Sequence, residues 1–160
     1  MADRRVHLMY GLAGSGKSTL ARELSAGGRA VRFTLDEWMT RVHPDVDFES
    51  REYGDKADHM REVIWSVAEQ VLAADVDVVL DWNFWSVERR RWAIDRAAVV
   101  HAPVTLHRLS TPIEVASERA LARAQYGEPF AHHVTRGGNE HLATLLQEPS
   151  TSEGLDICEH

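Results

Sequence analysis

The chain has 160 residues, the size of one domain with a single core, and its 44% hydrophobic and 27% charged residues are those of a globular protein. No apolar run approaches the ~20 residues of a membrane-spanning helix, and a net charge of −7 weighs against a broad basic footprint for duplex nucleic acid while leaving room for a short nucleic-acid end at one local site. Cys158 is the single cysteine, so an internal disulfide is excluded. The opening Met1-Ala2-Asp3-Arg4-Arg5 lacks the apolar stretch of a signal peptide, and a cytoplasmic setting is expected.

In chain order, Val6 to Tyr10 is a short apolar run ending in a glycine loop. Gly16 to Ser25 reads as a helix closed by Gly27-Gly28, and Ala30 to Leu35 as a second strand. From about Asp55 to Ala74, Met60, Val63, Ile64, Val67 and Val71 form one helical stripe. Val76 to Leu80 is mostly apolar, as expected of a strand covered on both faces. A helix over Val87 to Val100 and a fourth strand over Val104 to Leu109 follow. Pro112 opens a helix, where its missing N–H costs little. Gly137 to Gln147 is a further candidate helix and Leu155 to Cys158 a last short strand. The alternation predicts an α/β fold with a parallel sheet between helices and a ligand site at the carboxyl ends of the strands.

Gly11-Leu12-Ala13-Gly14-Ser15-Gly16-Lys17-Ser18 matches G-x-x-x-x-G-K-[ST] at every fixed position, between a strand and a helix. Glycines let the backbone curl until several N–H groups share one concavity, which with the helix N-terminus suits a polyphosphate. Gly11, Ala13, Gly14, Ser15, Gly16, Lys17, Ser18 and Thr19 are therefore the expected ATP-binding residues. Lys17 is placed for the β- and γ-phosphates, and the Ser18 hydroxyl for Mg2+.

Past this loop the chain resembles the small P-loop kinases. Leu35-Asp36-Glu37 follows the second strand, and Leu80-Asp81-Trp82-Asn83 the third. Leu109-Ser110-Thr111-Pro112 follows the fourth, ahead of Arg119 and Arg123, and Pro149 and Glu153 precede the last strand. This order is similar to the family grouping the kinase domain of polynucleotide 5′-hydroxyl kinases, chloramphenicol phosphotransferase-like enzymes and zeta-toxin-like kinases. The resemblance covers nearly the whole chain. It implies the P-loop NTPase fold with a five-stranded parallel sheet, one kinase domain over residues 1–160, and a helical lid over about 119–140. It further implies that Asp36 faces the acceptor hydroxyl and that Arg119 and Arg123 are lid arginines.

The residues fit those roles beside plainer ones. Asp36 is placed to orient a hydroxyl for in-line attack, or to cap the helix that follows it. Glu37 suits a first-turn acid. Asp81 ends an apolar strand, where a carboxylate supports the metal through Ser18, contacts the acceptor, or caps a loop. Asp36 shares the candidate metal role. Asn83 is a candidate acceptor contact or a turn residue. Arg119 and Arg123, at i and i+4, share one helix face with an apolar side of Ile113, Ala116, Ala120, Leu121 and Ala124. Arg123 is assigned to the transition-state charge, and Arg119 to phosphates or adenine. Without the loop, the same two residues would be a solvated face.

Arg89, Arg90 and Arg91 read as a solvated face from which one member could salt-bridge inward. Trp82 and Trp85 fall where a substrate pocket is expected. His43-Pro44 reads as a turn near that pocket. His132 and His133 lie in the lid and form no zinc pattern with the other histidines or Cys158. The reading is thus an ATP- and Mg2+-dependent transferase acting on a small-molecule hydroxyl. The alternatives are a polynucleotide 5′-hydroxyl kinase and a nucleotide-binding regulatory module. Nucleic-acid-directed relatives carry an arginine three residues after the aspartate, and here that position is Met39.

Overall fold

The computed structural model describes residues 4–127 and 135–160. Five strands, β1 (Val6–Tyr10), β2 (Ala30–Thr34), β3 (Asp77–Asn83), β4 (Val104–Arg108) and β5 (Asp156–Glu159), form one sheet in the order β2-β3-β1-β4-β5, parallel at every pairing. The connecting helices are α1 (Lys17–Ser25), α2 (Leu35–Val42), α3 (Arg51–Ala73), α4 (Val87–Val99), α5 (Ile113–Gln125) and α6 (Arg136–Leu145). Among the described residues no helix is long and apolar enough to cross a membrane.

Strand alternation divides the side chains between two layers. Val6, Leu8, Val78, Leu80, Val104 and Leu106 enter the larger core with Ile64, Trp65, Ala68 and Leu72 of α3 and Ala93 and Ala97 of α4. Met9, Val79 and Ala30 point the other way and pack on Ala21 of α1. The strands are apolar on both faces here because helices cover both, as expected for a parallel sheet.

Two elements differ from the sequence reading in ways that matter. Helix α3 begins at Arg51, four residues before the expected start, because the Ser50 hydroxyl accepts the Tyr53 N–H at 3.1 Å and caps it. Strand β3 runs on to Asn83, where it had been expected to stop at Leu80. Its register against β1 jumps from Leu8↔Leu80 to Met9↔Asn83. Asp81 and Trp82 are thus extra residues relative to β1, and such a bulge re-aims side chains at a strand end.

The arginine triplet is also not uniform. Arg90 is fully buried, while its neighbours are not. Its guanidinium donates to Glu153 at 2.7 and 3.0 Å, and to the carbonyls of Phe84 and Gln147 at 3.1 and 3.0 Å. Burial pushes the Glu153 carboxyl up, but the Arg90 hydrogen bonds and the Ser150 amide hold it below its usual range. This pair staples the segment before β5 to the start of α4. Arg90→Ala is expected to cost about 3–5 kcal/mol, because it strands Glu153 beside two orphaned carbonyls. Urea unfolding of the variant checks this figure.

Candidate functional site

The loop between β1 and α1 folds around its own lysine. Gly11, Gly14 and Gly16 have φ of 155, 80 and 100°, and those at Gly14 and Gly16 lie well inside the region that disfavours side chains. The first helical hydrogen bond of α1 runs from Leu20 N to Gly16 O at 3.0 Å, so the amides of Lys17, Ser18 and Thr19 precede it. Helices α3, α4 and α6 are capped by Ser50, Ser86 and Thr135, whereas α1 has no side-chain cap and no acid in its first turn. Its amides and positive dipole end therefore face the concavity with no anionic side chain in the first turn of the helix.

Two asparagines hold this loop in shape. Asn83 Nδ2 donates to Gly11 O at 2.8 Å, and its Oδ1 accepts from Gly11 N at 3.4 Å. Both ends of the Asn83 amide are thus committed to the loop backbone. Asn139, from α6, is fully buried. Its Oδ1 accepts from Ala13 N at 3.1 Å, and its Nδ2 donates to Ala13 O at 3.0 Å and to Ser117 Oγ of α5 at 3.1 Å. The Ala13 amide is therefore spent within the protein. The loop touches α5 directly as well: a methyl group on Gly14 would lie 2.0 Å from the Ala116 carbonyl oxygen.

The charged groups converge on Lys17. Its Nζ donates to Gly11 O at 2.9 Å and Leu12 O at 2.6 Å. Burial pushes its pKa down to about 8; Asp81 and Asp36 oppose that shift, and Arg123 adds to it. One ammonium thus feels an acid from β3, an acid from α2 and an arginine from α5. The bulge in β3 explains the first. Asp81 is buried, accepts from Ser18 Oγ at 3.2 Å on Oδ1, and is clasped on Oδ2 by Arg32 of β2 at 2.7 to 2.8 Å. Arg32 lies two residues before the end of β2, and nothing in its sequence context marks it.

Asp36 is the second residue of α2. The N-cap is Thr34, so the capping alternative for Asp36 does not hold. Glu37 shares the first turn and pairs with Arg41 at 2.8 Å. Tyr53 of α3 lies against Asp36, and burial together with the Asp36 charge pushes its phenol up to about 12. On α5, Ala116 and Ala120 face inward, Arg123 is half-buried and Arg119 exposed, while Leu121 turns outward at 44% exposure. A cavity of about 510 Å3 opens between this helix and the loop, lined by Gly14, Gly16, Thr19, Arg119 and Arg123.

A second cavity of about 510 Å3 has Trp82, Phe84, Trp85 and Trp92 on its walls, with Arg61 and Arg89 among its charged groups. Trp82 stacks on Phe84 with ring centroids 5.3 Å apart, and Arg89 lies over Trp85 at 5.2 Å. The charges of Arg61, on the wall of this cavity, and of Asp36 act on Tyr53 with opposite sign, Arg61 lowering its pKa and Asp36 raising it. His43 closes α2 as its C-cap. His132 and His133, and part of the expected lid, lie outside the described residues.

The family described as the AAA domain matches residues 6–145. The chain belongs to that family. No curated protein matches this AAA domain significantly. Among solved structures it is similar to a provisionally assigned kinase from Chloroflexus aurantiacus J-10-fl, with a TM-score of 0.72, 22% identity, and coverage of 98% of this chain and 87% of that one. It is similar to Kti12 of Chaetomium thermophilum in complex with ADP-AlF3, with a TM-score of 0.69, 19% identity, and coverage of 96% and 88%. It also matches a gluconokinase from Sinorhizobium meliloti 1021, with a TM-score of 0.61, 13% identity, and coverage of 99% and 84%. At these identities the likeness establishes a P-loop kinase fold and leaves the acceptor open.

Members of this family generally bind ATP with Mg2+, and the residues here fit that pair. Ser15 Oγ is buried within the loop and has no hydrogen-bond partner among the described residues. An orphaned hydroxyl beside an uncapped helix start and a lysine suits a polyphosphate oxygen. The Ser18 hydroxyl, held by Asp81, offers a hard oxygen of the type Mg2+ takes.

Proposed function

We propose that the protein is an ATP-dependent phosphotransferase that moves the γ-phosphoryl group to a hydroxyl of a small-molecule acceptor. The observation that carries this reading is the convergence on Lys17 of Asp81, Asp36 and Arg123 from three different elements. A module that only bound nucleotide would need the loop and Lys17; it would gain nothing from a further acid and arginine on the far side of the same lysine.

In this reading one domain carries the site, with α5 and α6 as its lid over about 119–140. The loop amides, Lys17 and Arg119 hold the phosphates. Ser18, supported by Asp81 and with Asp36 as a further candidate, would hold Mg2+, which would supply neutralisation of phosphate charge. Asp36 orients the acceptor hydroxyl for in-line attack. As the acceptor oxygen bonds to the γ-phosphorus, the bond to the β,γ-bridging oxygen breaks, ADP leaves, and Asp36 takes the hydroxyl proton late. Arg123 matches the charge spread over the equatorial oxygens. Asn83, committed to Gly11, serves here by shaping the loop. The aromatic cavity beyond the end of β3 is assigned to the acceptor, where indole and phenyl faces can bury a ring or an apolar body while arginines fix polar groups.

A polynucleotide acceptor is disfavoured by a specific residue. Met39, where the nucleic-acid-directed relatives place an arginine, is fully buried in the core, so this position offers no cation to a backbone phosphate. Labelled ATP offered with a panel of sugars, nucleosides, antibiotics and a 5′-hydroxyl oligonucleotide tests the proposal. Transfer to a small molecule supports it. Transfer to the oligonucleotide alone, or binding with neither transfer nor hydrolysis, overturns it.

The depressed Lys17 has a consequence for affinity. Phosphates favour the charged ammonium, so nucleotide binding raises its pKa and takes up a proton wherever the free protein has lost it. Affinity should hold below pH 8 and fall by up to about tenfold per pH unit above it. Lys17→Arg, which stays charged throughout, should flatten that dependence, and calorimetry between pH 7 and 9 reads both.

A further inference from the structure

Helix α1 covers the sheet face that carries Met9 and Val79, and along β4 and β5 the same face changes character. Register places Met9, His107 and Cys158 in one row across β1, β4 and β5. Leu106 and its alternates serve the main core, so His107 is turned to this other side. His160 lies two residues beyond Cys158 on the same face. His107 is buried, Cys158 half-buried and His160 exposed, a gradient from the sheet out to solvent.

One donor atom from each of His107, Cys158 and His160 falls within 4.8 Å of the others. His107 Nδ1 and His160 Nε2 are 2.9 Å apart. Two nitrogens at that distance need to part only slightly to ligate one tetrahedral ion with bonds of about 2.0–2.1 Å. The opposite edge of His107 is held as well: its Nε2 is 2.9 Å from His7 Nδ1, and His7 Nε2 is 3.5 Å from Asp77 Oδ2. The other oxygen of Asp77 accepts the Arg5 amide at 2.8 Å, which fixes the carboxylate.

This chain of contacts sets the tautomers. An ionised Asp77 only accepts, so neutral His7 carries its proton on Nε2 and presents a lone pair at Nδ1. His107 must then donate from Nε2, which leaves the lone pair of His107 Nδ1 aimed at His160 and Cys158. A carboxylate or other acceptor behind a ligating imidazole is what fixes its tautomer and raises its basicity at metal centres.

We propose that His107, Cys158 and His160 form a binding site for one Zn2+ ion, backed by His7 and Asp77 and separate from the phosphate loop. A thiolate with two imidazoles selects a borderline-soft ion and disfavours Mg2+ and Ca2+, which take oxygen ligands. Three protein ligands with His160 at the solvent side leave a fourth position for water. Binding displaces the Cys158 thiol proton to solvent and shifts the His160 proton to Nδ1, so that its Nε2 lone pair can coordinate. The ion would bridge β4 to the edge strand β5, whose end is already tied by Ser110 N to His160 O at 3.2 Å.

The test is titration of tag-free, chelator-stripped protein with Co2+ and then Zn2+, followed by absorption and thermal unfolding. One equivalent of Co2+ should give a thiolate-to-cobalt charge-transfer band that Zn2+ abolishes, and Tm should rise with Zn2+ concentration. Cys158→Ser should lose the band, and His160→Ala, at an exposed position, should weaken Zn2+ at least tenfold. Asp77→Asn, which touches no metal, should weaken it about 10- to 100-fold while keeping the band. Absence of a saturable one-equivalent signal, or wild-type Zn2+ affinity in both Cys158→Ser and His160→Ala, overturns the proposal. Neither readout depends on phosphotransfer, so this site and the proposed catalytic activity stand or fall separately.

Discussion

Arg123→Ala is expected to lower kcat by about 10³ to 10⁵, the range over which a positioned arginine acts on phosphoryl transfer, with ATP affinity changed far less. The size follows from where the guanidinium sits. Ala116, Ala120 and Arg123 share one stripe of α5, and the first two are buried against the loop side, so the third is carried inward with them. Contacts tie the helix to the loop: Asn139 links Ser117 to Ala13, and the Ala116 carbonyl occupies the space a side chain at Gly14 would need. The Arg123 charge adds to the lowering of the Lys17 pKa, so the two cations repel each other. That repulsion is relieved when charge develops on the transferring group, so the arginine contributes most in the transition state. Arg123→Lys should recover only a fraction, since an ammonium lacks the planar fork. Arg119→Ala, at an exposed position, should raise KM for ATP with a smaller effect on kcat. Steady-state kinetics on the three variants separates these outcomes. A kcat for Arg123→Ala within tenfold of the parent would remove Arg123 from the mechanism.

What the sequence disclosed and what it withheld divide along local and long-range physics. The phosphate loop is contiguous, its glycines have a backbone reason, and the strand before it and helix after it carry their own periodicities. The sheet was legible because its inner strands β1 and β3 are mostly apolar on both faces. Asp81 was legible as an acid near the end of β3 but not in its contacts, because the bulge that aims it depends on how β3 meets β1, and its Arg32 partner lies 49 residues away. Arg90 was hidden among three arginines because the carboxylate that lets it be buried is 63 residues further on. Asn139 sits in a helix whose boundaries were nearly right, yet its amide serves a loop 126 residues earlier. The imidazole row escaped for the same reason: His7, His107 and His160 have no spacing that a metal motif would show, and only the strand order 1-4-5 makes them neighbours.

Asp36→Asn is expected to cut kcat by about 10² to 10⁴ while leaving ATP affinity within a few-fold, because it removes proton acceptance and keeps the side chain's shape. The carboxylate is half-buried in the first turn of α2, just past the end of β2, and close enough to Lys17 to raise its pKa. The proposed mechanism places an attacking hydroxyl against this carboxylate. Its orientation has a physical cause in Tyr53. Burial and the Asp36 charge push that phenol up to about 12, so Tyr53 stays protonated across the working range and its O–H is directed to the carboxylate. Replacing the charge with a neutral amide removes the second of those causes, so the Tyr53 phenol should titrate closer to its usual value of about 10. Ultraviolet titration of the folded variant measures that independently of any acceptor. Tyr53→Phe should then show a smaller loss in kcat than Asp36→Asn, since the base remains and only its alignment is loosened. If Asp36→Asn turns over as fast as the parent while the Tyr53 titration moves as expected, the carboxylate is where the structure puts it and is not the group that handles the proton.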